Sequence, residues 1–175
     1  MTIRTRMCIS LDGFVATSDR LPVQLADPSF VPGESHDFPA FQQSLDAVVM
    51  GRTTFEPALG ADRWPWPDLD VFVLGSRRPE GTLDHVVFES DPARLLEAVR
   101  EMNRGGDVHL VGGPHTMEAF RALGALDKVG LLVLPILVGE GTRLTPPFGP
   151  DVDLTLESER ALPEGAVEVV YACGE

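Results

Sequence analysis

Short, nearly continuous apolar runs alternate along this chain with segments of helical period, and no other feature constrains its fold as strongly. Residues 47–50, 71–74, 85–88, 108–111 and 128–137 read as strands without the polar alternation of a half-exposed sheet. Such strands are covered on both faces, and the intervening helices supply the cover. The pattern predicts an α/β fold, three-layered, with a mainly parallel central sheet and helices on both faces. Residues 4–11 read as the first strand, ended by an Asp12-Gly13 turn and followed by an extended stretch at 14–16. The tail, 153–158 and 166–172, reads as two antiparallel strands joined by a Leu-Pro-Glu-Gly turn. Helices are expected at 37–45, from Thr53, at 92–104 and at 115–123. In the first of these, Ser35 is the N-cap, Pro39 sits in the first turn, and Phe38, Phe41 and Leu45 share a face. Residues 17–33 read as a long loop, and loops of that length in compact domains often carry function.

A chain of 175 residues suffices for one domain with a sizeable core, and no repeat or linker divides it, so residues 1–175 read as a single domain. A formal charge of −13 repels phosphate backbones and argues against a nucleic-acid partner. No apolar run approaches the length of about 18 residues that a membrane span needs. Cys8 and Cys173 form neither a disulfide framework nor a metal motif and read as buried thiols. The expected setting is the reducing cytoplasm, with no metal ligated.

Three strand ends carry residues suited to an anionic ligand. The first is Met50-Gly51-Arg52-Thr53-Thr54, where glycine admits close backbone approach and the threonines offer donors at a helix start. The second is Leu74-Gly75-Ser76-Arg77-Arg78, two adjacent cations in an acidic chain. The third is Val111-Gly112-Gly113-Pro114-His115-Thr116, a glycine pair opening a helix. Each alone also reads as an ordinary turn; the three in this order point to a dinucleotide.

These segments, together with Ser10-Leu11-Asp12-Gly13-Phe14-Val15-Ala16 and Leu134-Pro135-Ile136-Leu137-Val138-Gly139-Glu140-Gly141, resemble the dihydrofolate reductase-like superfamily. Within it, the chain is most similar to stand-alone relatives of the C-terminal reductase domain of the bifunctional riboflavin-biosynthesis deaminase-reductase. The resemblance implies a reductase that uses NADPH on a small planar C=N or C=O substrate, pterin-, folate- or pyrimidine-like. Val111 stands where riboflavin-pathway reductases carry an acidic residue, which leaves the substrate open.

By position, the resemblance implies that Gly51, Arg52, Thr53 and Thr54 hold phosphates, with Arg52, Ser76 and Arg77 about the 2′-phosphate and Leu74 at the same strand tip. Val111, Gly112, Gly113, His115 and Thr116 would line the pyrophosphate and nicotinamide, and Val15 and Ala16 would sit beside the ring. Arginines at two of the loops suit NADP better than NAD.

Reduction of such a bond needs a proton source. Asp37 and Asp12 are the candidate carboxylates for orienting substrate or supplying that proton, and Phe14, Phe38 and Phe41 are candidate substrate contacts. Asp37 reads equally as a first-turn helix acid, Asp12 as a turn residue, and the three phenylalanines as core. His36 and His115 are candidate proton or phosphate contacts. The resemblance also suggests a homodimer joined through the C-terminal strands and loop 139–147. The rival reading is an NADP(H)-binding sensor or structural module without turnover.

Overall fold

The computed structural model describes residues 1–144 and 153–174, and in them strands and helices alternate as the apolar runs predict. In chain order these are β1 (Ile3–Ser10), β2 (Phe14–Ala16), α1 (Phe38–Gln42), β3 (Leu45–Gly51), α2 (Arg52–Phe55) and β4 (Asp70–Leu74). There follow β5 (Val87–Glu89), α3 (Pro92–Met102), β6 (Asp107–Gly112) and α4 (Pro114–Ala122). β7 (Lys128–Leu134), β8 (Thr142–Arg143), β9 (Leu154–Ala161) and β10 (Val167–Cys173) complete the set.

Two units form from this chain. The first holds Met1–Thr5 and Ser44–Asp127. Its strands run in the order β5-β4-β3-β6, with the start of β1 beside β6, and all of these pairings are parallel. Val48, Met50, Phe55, Val71, Val73 and Val86 make one buried cluster, covered by Trp64, Trp66 and Phe88. α3 starts where the Asp91 carboxylate accepts the amides of Ala93 (2.8 Å) and Arg94 (3.2 Å), and it buries Leu95, Leu96 and Val99. α4 opens on Pro114 and buries Met117 and Phe120. Each such side chain, fully removed from water, contributes about 1.5–3 kcal/mol.

The second unit holds Arg6–Gln43 and Lys128–Glu175, with β10 antiparallel to both β7 and β9. β2 and β8 form a separate antiparallel ribbon. Cys8, Val23, Leu132, Leu134, Leu162 and Ala166 form its core. Burial pushes the Cys8 thiol up to about 12. The fold is α/β with a mainly parallel sheet and antiparallel C-terminal strands, as the sequence predicts.

Several expected bounds move. The helix expected over 37–45 shrinks to five residues, and Ser35 lies in a 3-10 turn rather than at its cap. His36 (φ 61°, ψ 28°) and Asp37 (φ 55°, ψ 24°) are both left-handed, so the right-handed helix α1 cannot extend back beyond Phe38. Leu45 leaves the expected helix face because it begins β3, where it is buried. Strand β5 starts two residues later than expected, and β7 ends three residues earlier, at Leu134. The long loop at 17–33 contains a 3-10 turn, Val23–Ala26, whose Val23 is fully buried. Residues 145–147 of the expected interface loop lie outside the described residues.

Candidate functional site

The candidate residues fall into two groups, one in each unit. In the first, β4, β3 and β6 are adjacent and parallel, so their carboxyl ends share one edge of the sheet. Gly51 pairs with Leu74 and Met50 with Gly112, which levels the three tips. A Cβ on Gly51 would stand 2.8 Å from the Thr116 hydroxyl, closer than side chains pack. A Cβ on Gly75 would meet the Cβ of Arg52 at 3.0 Å, and one on Gly113 the Thr54 hydroxyl at 3.7 Å. The glycines therefore let Arg52, Thr54, Gly113 and Thr116 pack closely against the strand tips; the Gly112–Gly113 peptide there is cis.

Around these tips Thr53, Ser76, Arg77 and His115 are exposed, Leu74, Val111 and Thr54 half-buried, and Thr116 buried. The Arg52 guanidinium donates to Glu56 Oε1 at 2.5 Å, one helical turn on, both side chains being 35% exposed. Gly51 and Gly113 stand at the N-cap positions of α2 and α4, and neither supplies a side-chain cap. Pro114 carries no N–H and the amides of Thr116 and Met117 already donate to the Gly113 carbonyl, so the donor left at the start of α4 is the His115 amide.

The second group surrounds Asp12. Its carboxylate accepts the amides of Gly139 (2.7 Å) and Val138 (3.2 Å). A hydrogen bond from the Ser10 hydroxyl, reinforced by those amides, holds the Asp12 carboxyl below the usual range. Through those amides the Asp12 carboxylate anchors the turn to the segment after β7. Phe14 is buried, a core residue rather than an open contact surface, and Val15 and Ala16 are half-buried in β2. Opposite Phe14 on β8, Arg143 lays its guanidinium 4.3 Å from the ring centroid and donates to the Asp12 carbonyl at 3.0 Å.

Asp37 does not share a helix face with Phe41, because it precedes α1 in the left-handed conformation. Its carboxylate accepts from Arg160 Nη1 at 2.8 Å, with both side chains half-exposed. Phe38 and Phe41 stand about the guanidinium of Arg6, at 4.8 and 5.1 Å. Arg6 itself is buried; its Nε donates to Glu168 Oε1 at 2.6 Å and its Nη2 to the His36 carbonyl at 2.5 Å. Glu168 Oε2 accepts in turn from Arg160 Nε. Burial pushes the Glu168 carboxyl up, but the Arg160 and Arg6 guanidiniums outweigh it and hold it below the ordinary value. Phe38 and Phe41, both half-buried, therefore wall a buried cation. The buried His36 ring stacks on Phe30, centroids 5.7 Å apart.

Arg6, Arg143, Arg160 and Glu168 escape a reading of sequence alone. The available signal is Arg6 itself, a cation inside an otherwise apolar strand, which must find a buried partner. Among the described residues no cluster of His, Cys, Asp and Glu is arranged to hold a metal, and no helix is long and apolar enough to cross a membrane.

Comparison with known proteins places these features in a lineage. The chain is 25% identical over 166 residues to the uncharacterized protein YwjB of Bacillus subtilis (strain 168), covering 94% of both chains. It is 24% identical over 179 residues to YyaP of the same organism, covering 94% of this chain and 91% of that one. Its fold superposes on that of a putative riboflavin biosynthesis protein from Shewanella sp. PV-4 with a TM-score of 0.82, at 21% identity over 100% of both chains. A pyrimidine reductase-like protein from Corynebacterium diphtheriae gives 0.66 at 16% identity, over 99% of this chain and 92% of that one. The sequence pattern of the RibD C-terminal domain matches residues 1–167, nearly the whole chain, which therefore belongs to the RibD C-terminal domain family.

Proposed function

We propose that the chain is an NADPH-dependent reductase of a small planar C=N or C=O substrate, pterin-, folate- or pyrimidine-like, acting as one domain over 1–175. The observation that carries this reading is the meeting of three glycine-bearing tips on adjacent parallel strands. Ligands of open α/β sheets bind outside the carboxyl ends of the strands, which is where these tips lie.

The donor set suits a phosphorylated dinucleotide. The His115 amide at the start of α4, with the hydroxyls of Thr53, Thr54 and Thr116, would bind pyrophosphate, and the His115 side chain stands exposed on the same helix turn. Arg52, Ser76 and Arg77 would hold the 2′-phosphate, and Arg52 must then exchange its bond to Glu56 for the phosphate. Leu74, Val111, Gly51, Gly112 and Gly113 shape the floor, and Val15 and Ala16 border the ring. NADPH, when bound, supplies the hydride. Asp12, held ionised by Ser10, Gly139 and Val138, fixes the turn beneath the substrate, and Asp37 orients substrate from beside Arg160. The reading includes a cytoplasmic homodimer, supported by the outward apolar side chains of Leu154 and Leu156 on β9.

Calorimetric titration with NADPH and NADH tests it. Arg52→Ala with Arg77→Ala should weaken NADPH about a hundredfold, two charge-assisted contacts' worth, and NADH far less. Equal losses would refute the 2′-phosphate assignment, and no uptake of NADPH by the wild type at millimolar concentration would refute the reductase. A second reading, an NADP(H) binder without turnover, draws on the commitment of Asp12 to backbone amides and of Asp37 to Arg160. NADPH uptake without oxidation across a panel of planar carbonyl and imine compounds would favour it.

A further inference from the structure

Two arginines stand at the strand tips proposed to take the 2′-phosphate, and they are not equally available. Arg77 is exposed and makes no ion pair among the described residues. Arg52 is already engaged: its Nη1 donates to Glu56 Oε1 at 2.5 Å, both side chains being partly buried. The Arg52 stem lies along the tip of β4, where a Cβ on Gly75 would stand 3.0 Å from its Cβ and 3.6 Å from its Cγ and Cδ. Ser76 and Arg77 follow that glycine directly. The guanidinium thus works from a fixed base, with a carboxylate of its own chain one helical turn on.

Support of a helix explains this pair poorly. α2 has only four residues, and Glu56 lies past its end, at the start of a 3-10 turn, Glu56–Gly60. An arginine that precedes its glutamate by four positions also runs against the backbone dipole, the weaker order for such pairs. Phe55, fully buried with its ring edge-on to Trp64 and Phe88, anchors the segment instead. What the pair does is occupy a cation. Glu56 Oε1 meets Arg52 Nη1 with the charge and the hydrogen-bonding geometry of a phosphate oxygen.

We propose that Glu56 is a specificity-determining residue of the cofactor site, an internal stand-in for the 2′-phosphate that Arg52 must release before the dinucleotide seats. The proposal rests on the reading that Arg52, Ser76 and Arg77 hold that phosphate. Exchanging one oxyanion for another leaves the number of charge-assisted bonds at Arg52 unchanged, so a ligand binds with net gain only if it also engages Arg77 and Ser76. An isolated anion such as inorganic phosphate trades one partner for another and gains little. The seated dinucleotide stays exchangeable, because the displaced carboxylate remains one turn away, at high effective concentration, to reclaim the guanidinium.

The test is calorimetric titration of the full chain with adenosine 2′,5′-bisphosphate, adenosine 5′-monophosphate and inorganic phosphate. Glu56→Gln should tighten the bisphosphate about three- to fivefold, the worth of a partly exposed ion pair, tighten inorganic phosphate likewise, and leave the monophosphate unchanged. Glu101→Gln, exposed on α3, makes the same change in net charge and should alter none of them. The gain passes through Arg52, so in an Arg52→Gln background Glu56→Gln should improve the bisphosphate by less than about 1.5-fold. Bisphosphate binding that is no tighter in Glu56→Gln, raised as much by Glu101→Gln, or raised as much without Arg52 overturns the proposal. So does a monophosphate weakened by Glu56→Gln, which would make the carboxylate an acceptor for a ribose hydroxyl. A wild type that does not prefer the bisphosphate to the monophosphate refutes the 2′-phosphate reading separately. Inorganic phosphate then decides Glu56 alone: tightening in Glu56→Gln that disappears with Arg52→Gln upholds its hold on Arg52, and no tightening overturns it.

Discussion

Replacing Glu168 by glutamine should destabilise the second unit far more than the exchange of one carboxylate for an amide on β10 suggests. Glu168 lies between two guanidiniums, and its side chain is 10% exposed against 4% for Arg6. Removing one partner of a buried pair costs about 3–5 kcal/mol, because the other charge stays in low dielectric without compensation. Arg6 retains the His36 carbonyl and the faces of Phe38 and Phe41, and the new amide oxygen still accepts one bond. The lower end, about 3 kcal/mol, is therefore expected for Glu168→Gln. In a chain of this size that is a fall in melting temperature of about 6–12 °C. Urea unfolding at neutral pH followed by circular dichroism measures the difference, with an unchanged m value as the check on two-state behaviour. The sign of the pH dependence follows from the depressed carboxyl of Glu168. A group whose folded-state value is lowered stabilises fully above its ordinary value, here 4.5, and loses that contribution as pH falls through the folded value. The gap between wild type and Glu168→Gln should accordingly close on acidification below 4.5. A gap under about 1 kcal/mol at neutral pH, or one that persists undiminished in acid, would show that Arg6 does not depend on this carboxylate.

Gly51→Ala places a methyl group 2.8 Å from the Thr116 hydroxyl and should cost about 1–3 kcal/mol in urea unfolding, with Thr116→Ala in the same chain recovering most of it. Gly141→Ala drives a Cβ to 2.1 Å from the Ala16 carbonyl at φ +138°, so β2 and β8 should separate, read as faster amide exchange across residues 14–16 and a stability loss of roughly 3 kcal/mol. Asp91→Ala removes the cap of α3 and should lower stability by about 1 kcal/mol without changing NADPH affinity.

The parallel strands of the first unit are legible because β3, β4 and β6 are buried on both faces, and their runs of valine, leucine and methionine say so residue by residue. The glycines at their tips are legible too, since a strand end that must admit a neighbour's Thr116 or Arg52 leaves no room for a side chain. The segment at 35–43 is misread because its conformation is imposed from afar. Arg6 grasps the His36 carbonyl from 30 positions away and Arg160 grasps Asp37 from 123, and no periodicity near residue 37 records either bond. The Arg6–Glu168 pair spans 162 positions, and Arg143 meets Phe14 only through the pairing of β2 with β8. Local pattern reports burial well; it is silent on which distant charge a buried charge will meet.

The sealed thiol of Cys8 makes this protein its own clock. With its proton held to about pH 12, it is almost wholly unreactive towards alkylating reagents while its surroundings stay packed. Labelling at that sulfur, in a chain whose Cys173 is replaced by serine, would therefore count openings of the interior around Val23 and Leu132. The pace of that labelling, with and without dinucleotide, would report how far ligand uptake quiets the molecule, before any substrate has been identified.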